Sequence, residues 1–348
     1  MKIGSSLIAG YRKGQSNALS SLVEQLSHLN QQGIQVVLVS SGAIVLGMAE
    51  LKQETRPNEL AALQAFAAIG QTILMHTYSE LFKAQKARCA QVLLTWDDFD
   101  NRERYNNARH TFQAILQRQV IPIVNENDTI SSEEIKFGDN DRLSALVASL
   151  IGADLLLILT DVEGFYEIKD GEKKVFDEIK EITKEIENLA GGTTQKHMAK
   201  GGMLTKIDAV KIATHADIPC VIASAQEPQV VARVLNGERI GTFFVEKEDK
   251  LLARKHWISF GAKPKGILTI DEGAKLALLK GGRSLLLPGV LSWEGHFKVD
   301  DVVIVRDQSQ QEIARGIINY SVSDLHKISE KKGKPEVIHY DHLVLCKR

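Results

Sequence analysis

Acidic and amide side chains crowd one short segment of the chain, directly in front of an apolar stretch. The segment begins with Asn-Glu-Asn-Asp at 125–128 and closes with Gly-Asp-Asn-Asp at 138–141, ahead of the largely apolar residues 143–150. Asp and Asn are favoured helix N-caps, so a single one of them needs no function there. Three in a row exceed what a cap requires. Together with 125–128 they predict a cluster that orients an ammonium group, lysines or a metal-bound phosphate.

Turns rich in glycine and serine form a second set of candidate binding residues. They are Gly4-Ser5-Ser6, Ser40-Ser41-Gly42-Ala43 and Lys200-Gly201-Gly202-Met203, each next to a predicted strand or helix. Small residues at such junctions let backbone N–H groups approach an anion closely, although glycine also serves any tight turn. Three such turns, one containing Lys200 and another following Lys2, favour a polyphosphate ligand.

Several familiar catalytic motifs are missing from the sequence. It has no G-x-x-x-x-G-K-[ST] segment, which excludes a P-loop enzyme, and neither His-Glu-x-x-His nor Gly-x-Ser-x-Gly occurs. Phosphoryl transfer without a P-loop stays open, because that chemistry needs chiefly positioning and positive charge on the transferred group.

The elements that must position these residues follow from hydrophobic patterning in the first 245 residues. Short apolar runs predict buried parallel strands at 34–40, 89–95, 120–125, 153–160 and 218–223. Amphipathic stretches between them predict helices near 17–32, 58–85, 106–119, 142–150 and 204–216. This alternation predicts a three-layer αβα sandwich around a mostly parallel sheet, with ligands at the carboxyl ends of the strands.

Length and composition limit the classes of protein to which the chain can belong. The 348 residues favour two domains, and a formal net charge of -1 gives no bulk attraction to nucleic acid or membrane. Three widely spaced cysteines fit neither a disulfide framework nor a Cys-x-x-Cys metal site, which indicates a reducing cytoplasm. We expect a soluble cytoplasmic protein, because no uncharged apolar run reaches the ~20 residues of a membrane span.

The character of the sequence changes near its last quarter. We predict one domain over 1–245, a charged linker over 246–257, and a small β-barrel-like domain over 258–348, where short β-like runs are broken by glycine and proline. The last of these carries 14 Lys and Arg against 11 Asp and Glu. That excess is small beside the basic patch expected of an RNA-binding module, so RNA binding is not expected.

Several long motifs, in order along nearly the whole chain, resemble the amino acid kinase family. They are KIGSS (2–6), VSSGAI (39–44), NRERYNNAR (101–109), IVNEND (123–128), FGDNDRLSA (137–145), LTDVEGFY (159–166) and GGMLTK (201–206). The tail from about residue 258 resembles a PUA domain. Within the family the motifs are most similar to the branch that uses ATP and Mg²⁺ to phosphorylate the side-chain carboxylate of L-glutamate, the first step of proline biosynthesis.

The resemblance also implies roles for individual residues. Lys2 and Lys206 match the lysines that neutralise charge on the transferred phosphoryl group, and Asp141 matches the acid that holds them. Ser41, Asp128 and Asn140 match glutamate-binding residues, with the aspartate facing the ammonium group and hydroxyl or amide donors facing a carboxylate. The implied nucleotide contacts are Lys2, Thr160, Asp161, Lys200, Gly201, Gly202, Met203, Leu204, Thr205 and Lys206. We expect Lys206 to begin a helix whose N-terminus adds to its effect.

The sequence departs from the family pattern at two places. The first strand is nearly absent ahead of Lys2, so we expect this lysine to be poorly anchored. Ala199-Lys200 replaces the usual Gly-Thr, and the additional lysine either strengthens phosphate binding or points into solvent.

Partners and alternatives follow from the same comparison of motifs. The resemblance implies feedback inhibition by proline, assembly into a dimer or tetramer, and glutamyl phosphate reductase as a pathway partner. The alanine-rich residues 59–73 predict a closely packing helix, in an oligomer or in the core. Two other functions remain open: a kinase of this fold acting on acetylglutamate, aspartate or carbamate, and an RNA-binding or regulatory protein.

Overall fold

The chain folds into two compact units in the computed structural model, which describes residues 1–131, 140–169, 172–191, 202–246, 264–329 and 335–345. The first unit comprises Met1–Asp98 and Glu103–Lys250, and the second comprises Phe99–Arg102 and Leu251–Arg348.

An eight-stranded sheet forms the centre of the first unit, in the order β3-β4-β2-β1-β5-β9-β10-β8. Its strands are β1 Lys2–Ile3, β2 Leu38–Ser40, β3 Cys89–Leu94, β4 Ile121–Glu126, β5 Leu156–Thr160, β8 Glu178–Ile179, β9 Cys220–Ser224 and β10 Thr242–Phe244. A separate hairpin pairs β6 Tyr166–Lys169 with β7 Glu172–Val175. Neighbouring strands of the sheet run parallel except β9 and β10.

Ten helices are described in the stretch of chain up to residue 246. They are α1 Ser5–Arg12, α2 Ala18–Gln31, α3 Ala43–Glu50, α4 Leu60–Ala84, α5 Trp96–Asp100, α6 Arg102–Leu116, α7 Asp141–Ile151, α8 Lys184–Gly191, α9 Gly202–Thr214 and α10 Val230–Leu235. The five strands and five helices expected from the patterning are therefore present. Their bounds differ by up to four residues, as where the run 34–40 forms a strand only from Leu38.

Alternation along the strands explains why helices cover both faces of the sheet. Ile3, Leu157 and Leu159 pack into one core with residues of α1 and α2. Because successive side chains of a strand point to opposite faces, Lys2 and Ile158 point to the other face. The helices α7 and α9 pack against each other and contact β5 and β9. The predicted sandwich with a mostly parallel central sheet is confirmed.

The long helix α4 approaches α3 so closely that glycine is required at the contact. A Cβ atom added at Gly70 would lie 1.7 Å from the carbonyl oxygen of Ala43. Contrary to the expectation from sequence, α4 is long and apolar enough to cross a membrane by length and composition, a test that core helices of soluble proteins also pass. The alanine-rich stretch packs closely within its own chain, and its part in an oligomer stays a prediction.

The second unit is built from short strands, most of them antiparallel. A five-stranded sheet has the order β13-β11-β14-β15-β17, and β12 pairs with β16. The elements are β11 Gly266–Ile270, α11 Glu272–Leu279, β12 Leu285–Leu286, β13 Val290–Gly295, β14 Val302–Arg306, β15 Glu312–Ile317, α12 Val322–Ser329, β16 Glu336–Ile338 and β17 Leu343–Leu345, with 3₁₀ turns at Leu287–Gly289 and Tyr340–His342. Leu268, Val303 and Ile338 belong to its core.

Candidate active site

Two lysines that are distant in sequence meet over one buried carboxylate at the carboxyl edge of the sheet. The Nζ atom of Lys2 lies 2.7 Å from Oδ1 of Asp141, and Nζ of Lys206 lies 3.0 Å from Oδ2 of the same residue. Asp141 is fully buried, and the two lysines are 2% and 7% exposed. The structure thus brings together all three residues that the resemblance implies for catalysis.

The expectation that Lys2 is poorly anchored is wrong. β1 has only two residues, yet it lies in the middle of the sheet and pairs in parallel with β2 and with β5. The carbonyl oxygen of Met1 accepts a hydrogen bond from the backbone N–H of Val39 at 2.8 Å. Ile3 is fully buried in the core on one face, which directs Lys2 to the face where Asp141 lies. Neighbouring strands therefore hold the short strand in place.

We expected Lys206 to begin its helix, but α9 begins four residues earlier, at Gly202. Its side chain reaches back one turn, and Nζ donates to the carbonyl oxygen of Gly202 at 3.1 Å. The hydroxyl of Thr205 donates to Oδ2 of Asp141 at 3.0 Å. The first turn of α9 therefore places a cation and a hydroxyl against the same carboxylate, which fixes the carboxylate's position.

Asn140 occupies the N-cap position of α7, but its side chain makes no capping hydrogen bond. Its Nδ2 atom instead donates to the carbonyl oxygen of Ser40 at 2.9 Å and to Oδ1 of Asn125 at 2.6 Å. The capping interpretation of a single residue in this segment is therefore wrong for Asn140. Of the other two candidates, Asp141 is the first residue of α7 and Asp139 lies outside the described residues.

Ser41 and Asp128 have polar side-chain atoms in environments that suit a charged ligand. Oγ of Ser41 is buried and has no hydrogen-bond partner within the described part of the chain. Burial, followed by the nearby charge of Glu126, raises the pKa of Asp128 to about 7, although Arg56 acts in the opposite direction. A cationic ligand group beside Asp128 would return its pKa toward the usual range.

The remaining implied contacts lie at the same edge of the sheet. Thr160 ends β5, whose Ile158 is level with Lys2, and its hydroxyl donates to Oδ1 of Asp161 at 3.0 Å. No hydrogen bond or ion pair within the described ranges joins this pair to the lysine cluster. Gly202, Met203, Leu204 and Thr205 form the first turn of α9. Lys200 and Gly201 lie outside the described residues, so the solvent or phosphate position of Lys200 stays a prediction.

The glycine and serine turns begin helices at this edge. Gly4 precedes α1 and Gly42 precedes α3, and neither helix has a side-chain cap. Gly42 adopts a φ of 116°, a conformation that L side chains rarely adopt. The first backbone N–H groups of these helices are consequently suited to bind an anion.

Sequence reasoning missed the polar residues of α4, which reach three parts of the site. Gln64, Gln71 and Tyr78 bond to Ser131, Asn125 and Ser40 respectively. Their spacing of seven residues, on one side of a largely apolar helix, was the available signal.

A cage of protein ligands for a metal is not present in the described ranges, which contain no cluster of three or more His, Cys, Asp or Glu side chains that could hold an ion. Both oxygens of Asp141 are engaged by lysines. Mg²⁺ commonly keeps several waters and binds through one or two carboxylates together with substrate phosphates, so the described donor set fits a metal carried by a nucleotide.

Comparison with known proteins identifies the class to which this fold and site belong. The model of the amino acid kinase family matches residues 1–224, and that of the PUA domain matches residues 266–340. The chain belongs to the amino acid kinase family and carries a PUA domain in its second unit. The resemblance found in the motifs is confirmed.

Relatives of nearly the same length share one activity in their names. Glutamate 5-kinase of Methylococcus capsulatus is 43% identical over 360 residues, which cover 99% of this chain and 96% of that protein. Glutamate 5-kinase of Carboxydothermus hydrogenoformans is 44% identical over 361 residues, with the same coverage. That of Dictyoglomus turgidum is 44% identical over 364 residues, which cover 100% of this chain and 97% of that protein.

Proposed function

We propose that this chain transfers the γ-phosphoryl group of ATP to the side-chain carboxylate of L-glutamate, forming L-glutamyl 5-phosphate in the first step of proline biosynthesis. The observation that carries the proposal is the meeting of Lys2 and Lys206 over Asp141 at the edge of the sheet where the helices begin. Relatives with this activity in their name match almost the entire chain.

The geometry suits transfer without a general base. A free glutamate carboxylate has a pKa of about 4.3, so the attacking oxygen is already ionised at neutral pH. That oxygen forms a bond to the γ-phosphorus while the bond to the β–γ bridging oxygen breaks, and ADP leaves with the electron pair. Asp141 holds Lys2 and Lys206 rather than accepting a proton, because each of its oxygens already faces an ammonium group. The two ammonium groups stabilise negative charge on the transferred group.

The substrates would lie on either side of this cluster. Asp128 faces the ammonium group of glutamate, Asn140 contacts the same substrate, and the hydroxyl of Ser41 donates to one of its carboxylates. Thr160, Asp161 and the segment 200–206 bind the nucleotide. The protein would hold Mg²⁺ through the nucleotide bound by these residues, and the ion would supply charge withdrawal from the transferred phosphoryl group.

The wider biochemical context is part of the same proposal. Proline acts as feedback inhibitor, the enzyme works in the cytoplasm as a dimer or tetramer, and glutamyl phosphate reductase consumes its product. The kinase domain spans 1–245 and a linker spans 246–257, followed by the PUA domain at 258–348. The small charge excess of that last segment argues for regulation or assembly rather than RNA binding.

Trapping the acyl phosphate with hydroxylamine tests the activity. The purified chain with ATP and Mg²⁺ is offered L-glutamate, acetylglutamate, aspartate or carbamate, and release of ADP is followed in parallel. We expect ADP and hydroxamate in equal amounts with L-glutamate, at a rate well above that for the other acids. A preference for another acid, or ADP release without hydroxamate, would contradict the proposal.

A further inference from the structure

The geometry points to Gln71 of α4 as a positioning residue that makes the site select an acceptor with an amino group. Acting through Asn125, it holds Asn140 so that the carbonyl oxygen of Asn140, rather than its amide N–H groups, meets the acceptor. This inference rests on the proposed function and names a residue that the family motifs do not include.

The polar side of α4 is the physical basis for this role. Gln64, Gln71 and Tyr78 are separated by seven residues, or about two helical turns, and therefore lie on the same side of the helix. Nε2 of Gln64 donates to the carbonyl oxygen of Ser131 at 3.2 Å. The hydroxyl oxygens of Tyr78 and Ser40 lie 2.7 Å apart. One helix thus contacts the ends of β2 and β4 and the segment that follows β4.

Gln71 fixes the orientation of Asn125 by accepting a hydrogen bond. Nδ2 of Asn125 donates to Oε1 of Gln71 at 2.8 Å, which leaves Oδ1 of Asn125 as the acceptor on its other side. That oxygen accepts from the backbone N–H of Glu126 at 2.9 Å and from Nδ2 of Asn140 at 2.6 Å. Turning the amide of Asn125 over would place two donors against these two N–H groups, so the orientation follows from the network.

The same reasoning determines which end of Asn140 remains for a ligand. Its two N–H groups donate to Asn125 and to the carbonyl oxygen of Ser40. A side-chain amide has two donor hydrogens and one acceptor oxygen, so the oxygen is the group left for an outside donor. The structure therefore reverses the expectation that Asn140 donates to a carboxylate of the acceptor.

An ammonium group is the part of the acceptor that can use this oxygen. It supplies three N–H donors, and Oδ1 of Asn140 can accept one of them while the carboxylate of Asp128 accepts another. Glutarate has both carboxylates of glutamate but no amino group, so it can make neither contact. Discrimination between glutamate and glutarate consequently reports on the orientation of Asn140.

Substitution Gln71→Met tests the inference, because methionine is similar in size but offers Asn125 no strong acceptor. The measurements are the KM for glutamate, the inhibition constant of glutarate as a competitor of glutamate, and the KM for ATP. We expect the KM for glutamate to rise about 10- to 100-fold, the range of one or two hydrogen bonds to a charged group. The constants for glutarate and ATP should change by less than about twofold.

Two further variants separate positioning from general loss of structure. Gln71→Glu restores an acceptor oxygen for Asn125 and should keep a lower KM for glutamate than Gln71→Met. Gln25→Met removes a buried glutamine of α2 that accepts from the backbone N–H of Val231, and it should lower thermal stability without changing the ratio of the two constants.

Equal weakening of glutamate and glutarate by Gln71→Met, or no weakening of either, would overturn the inference. If Gln71→Met does not fold, the decision falls to Gln71→Glu: a KM for glutamate near that of the unmodified chain supports the inference, and an equal weakening of both ligands refutes it. Failure of the unmodified chain to phosphorylate glutamate would instead refute the proposed function.

Discussion

Both compact units pair a buried aspartate with lysine, but the two clusters are built differently. In the first unit, Lys2 and Lys206 share the single carboxylate of Asp141. In the second unit, Nζ of Lys275 lies 2.9 Å from Oδ2 of Asp307 and 3.7 Å from Oε2 of Glu272. The first cluster gathers two cations around one acid, whereas the second places one cation between two acids.

The hydrogen bonds around the two aspartates show what each cluster does. Oδ1 of Asp307 accepts from the hydroxyl of Ser309 at 2.6 Å and from the backbone N–H of Gln311 at 2.9 Å, which closes the turn between β14 and β15. The bond from Ser309, followed by that from Lys275, holds the pKa of Asp307 far below its usual range. This carboxylate stabilises its own turn.

Asp141, by contrast, organises side chains of two other elements, β1 and α9. The cluster lies where parallel strands end and helices begin, the place where an anionic substrate is expected. A buried ion pair is weak evidence for a gain in stability, because desolvation costs offset the attraction. The comparison therefore supports the proposal that the cluster in the first unit serves phosphate chemistry, whereas the pair in the second unit stabilises a turn.

The largest effect is expected from Lys206→Met. The variant removes one cation from the transferred phosphoryl group, and kcat should fall about 10²- to 10³-fold. Asp141 keeps its bond to Lys2, so circular dichroism and the melting temperature should stay close to those of the unmodified chain. Steady-state kinetics with saturating ATP and glutamate measure the loss, and a fall of less than about threefold would remove the distinction between the clusters.

The next effect is a dependence of acceptor binding on pH. The pKa of Asp128 is about 7, and its ionised form is the one that binds an ammonium group. The KM for glutamate should therefore fall about tenfold between pH 6 and pH 8 and change little at higher pH. Asp128→Asn should have a high KM that is independent of pH over this range, and a steep dependence retained by that variant would assign the titration to another group.

The raised pKa of Asp128 also predicts the sign of a stability effect. Between its unfolded value near 3.8 and its folded value near 7, the unfolded chain releases the proton while the folded chain keeps it. This group's contribution to the free energy of unfolding consequently decreases as pH rises through that interval. Thermal melting from pH 4.5 to 7 should show a smaller decrease for Asp128→Asn than for the unmodified chain.

The smallest effect on activity is expected from Lys275→Met. This variant should lower the melting temperature of the second unit while kcat and both KM values change by less than about twofold, as measured beside Lys206→Met. The depressed pKa of Asp307 gives a stabilisation that is complete above its unfolded value near 3.8 and is lost as pH falls below it. As the pH falls below about 3.8, the variant should therefore lose less stability than the unmodified chain. A large fall in kcat would contradict the structural role assigned to this ion pair.

Much of the fold could be predicted from the sequence, and the elements that could not be predicted have local causes. Apolar runs such as 218–223 reveal a buried strand because every position is apolar, whereas β1 has two residues and no readable period. Its place in the sheet depends on β2 and β5, which are distant in sequence. The resemblance to the amino acid kinase family predicted that Lys2, Asp141 and Lys206 lie together, and the structure places them so.

Side-chain hydrogen bonds were the harder part to predict. An asparagine before a helix has the same sequence signature whether it caps the helix or, like Asn140, bonds to Ser40 and Asn125. The polar residues of α4 were hidden in a stretch dominated by alanine, leucine and isoleucine. Partners contributed by other elements decide these contacts, and a single sequence does not encode them in any short pattern.

Binding of ADP with fluoroaluminate, an analogue of the phosphoryl group in transfer, tests the central claim most directly. In the presence of glutamate and Mg²⁺, the unmodified chain should bind this complex about 100-fold more tightly than ADP alone. Lys206→Met should lose most of that gain and keep its affinity for ADP, whereas Lys275→Met should keep both. An undiminished gain in Lys206→Met would contradict the account, because the two lysines would then not act on the group being transferred.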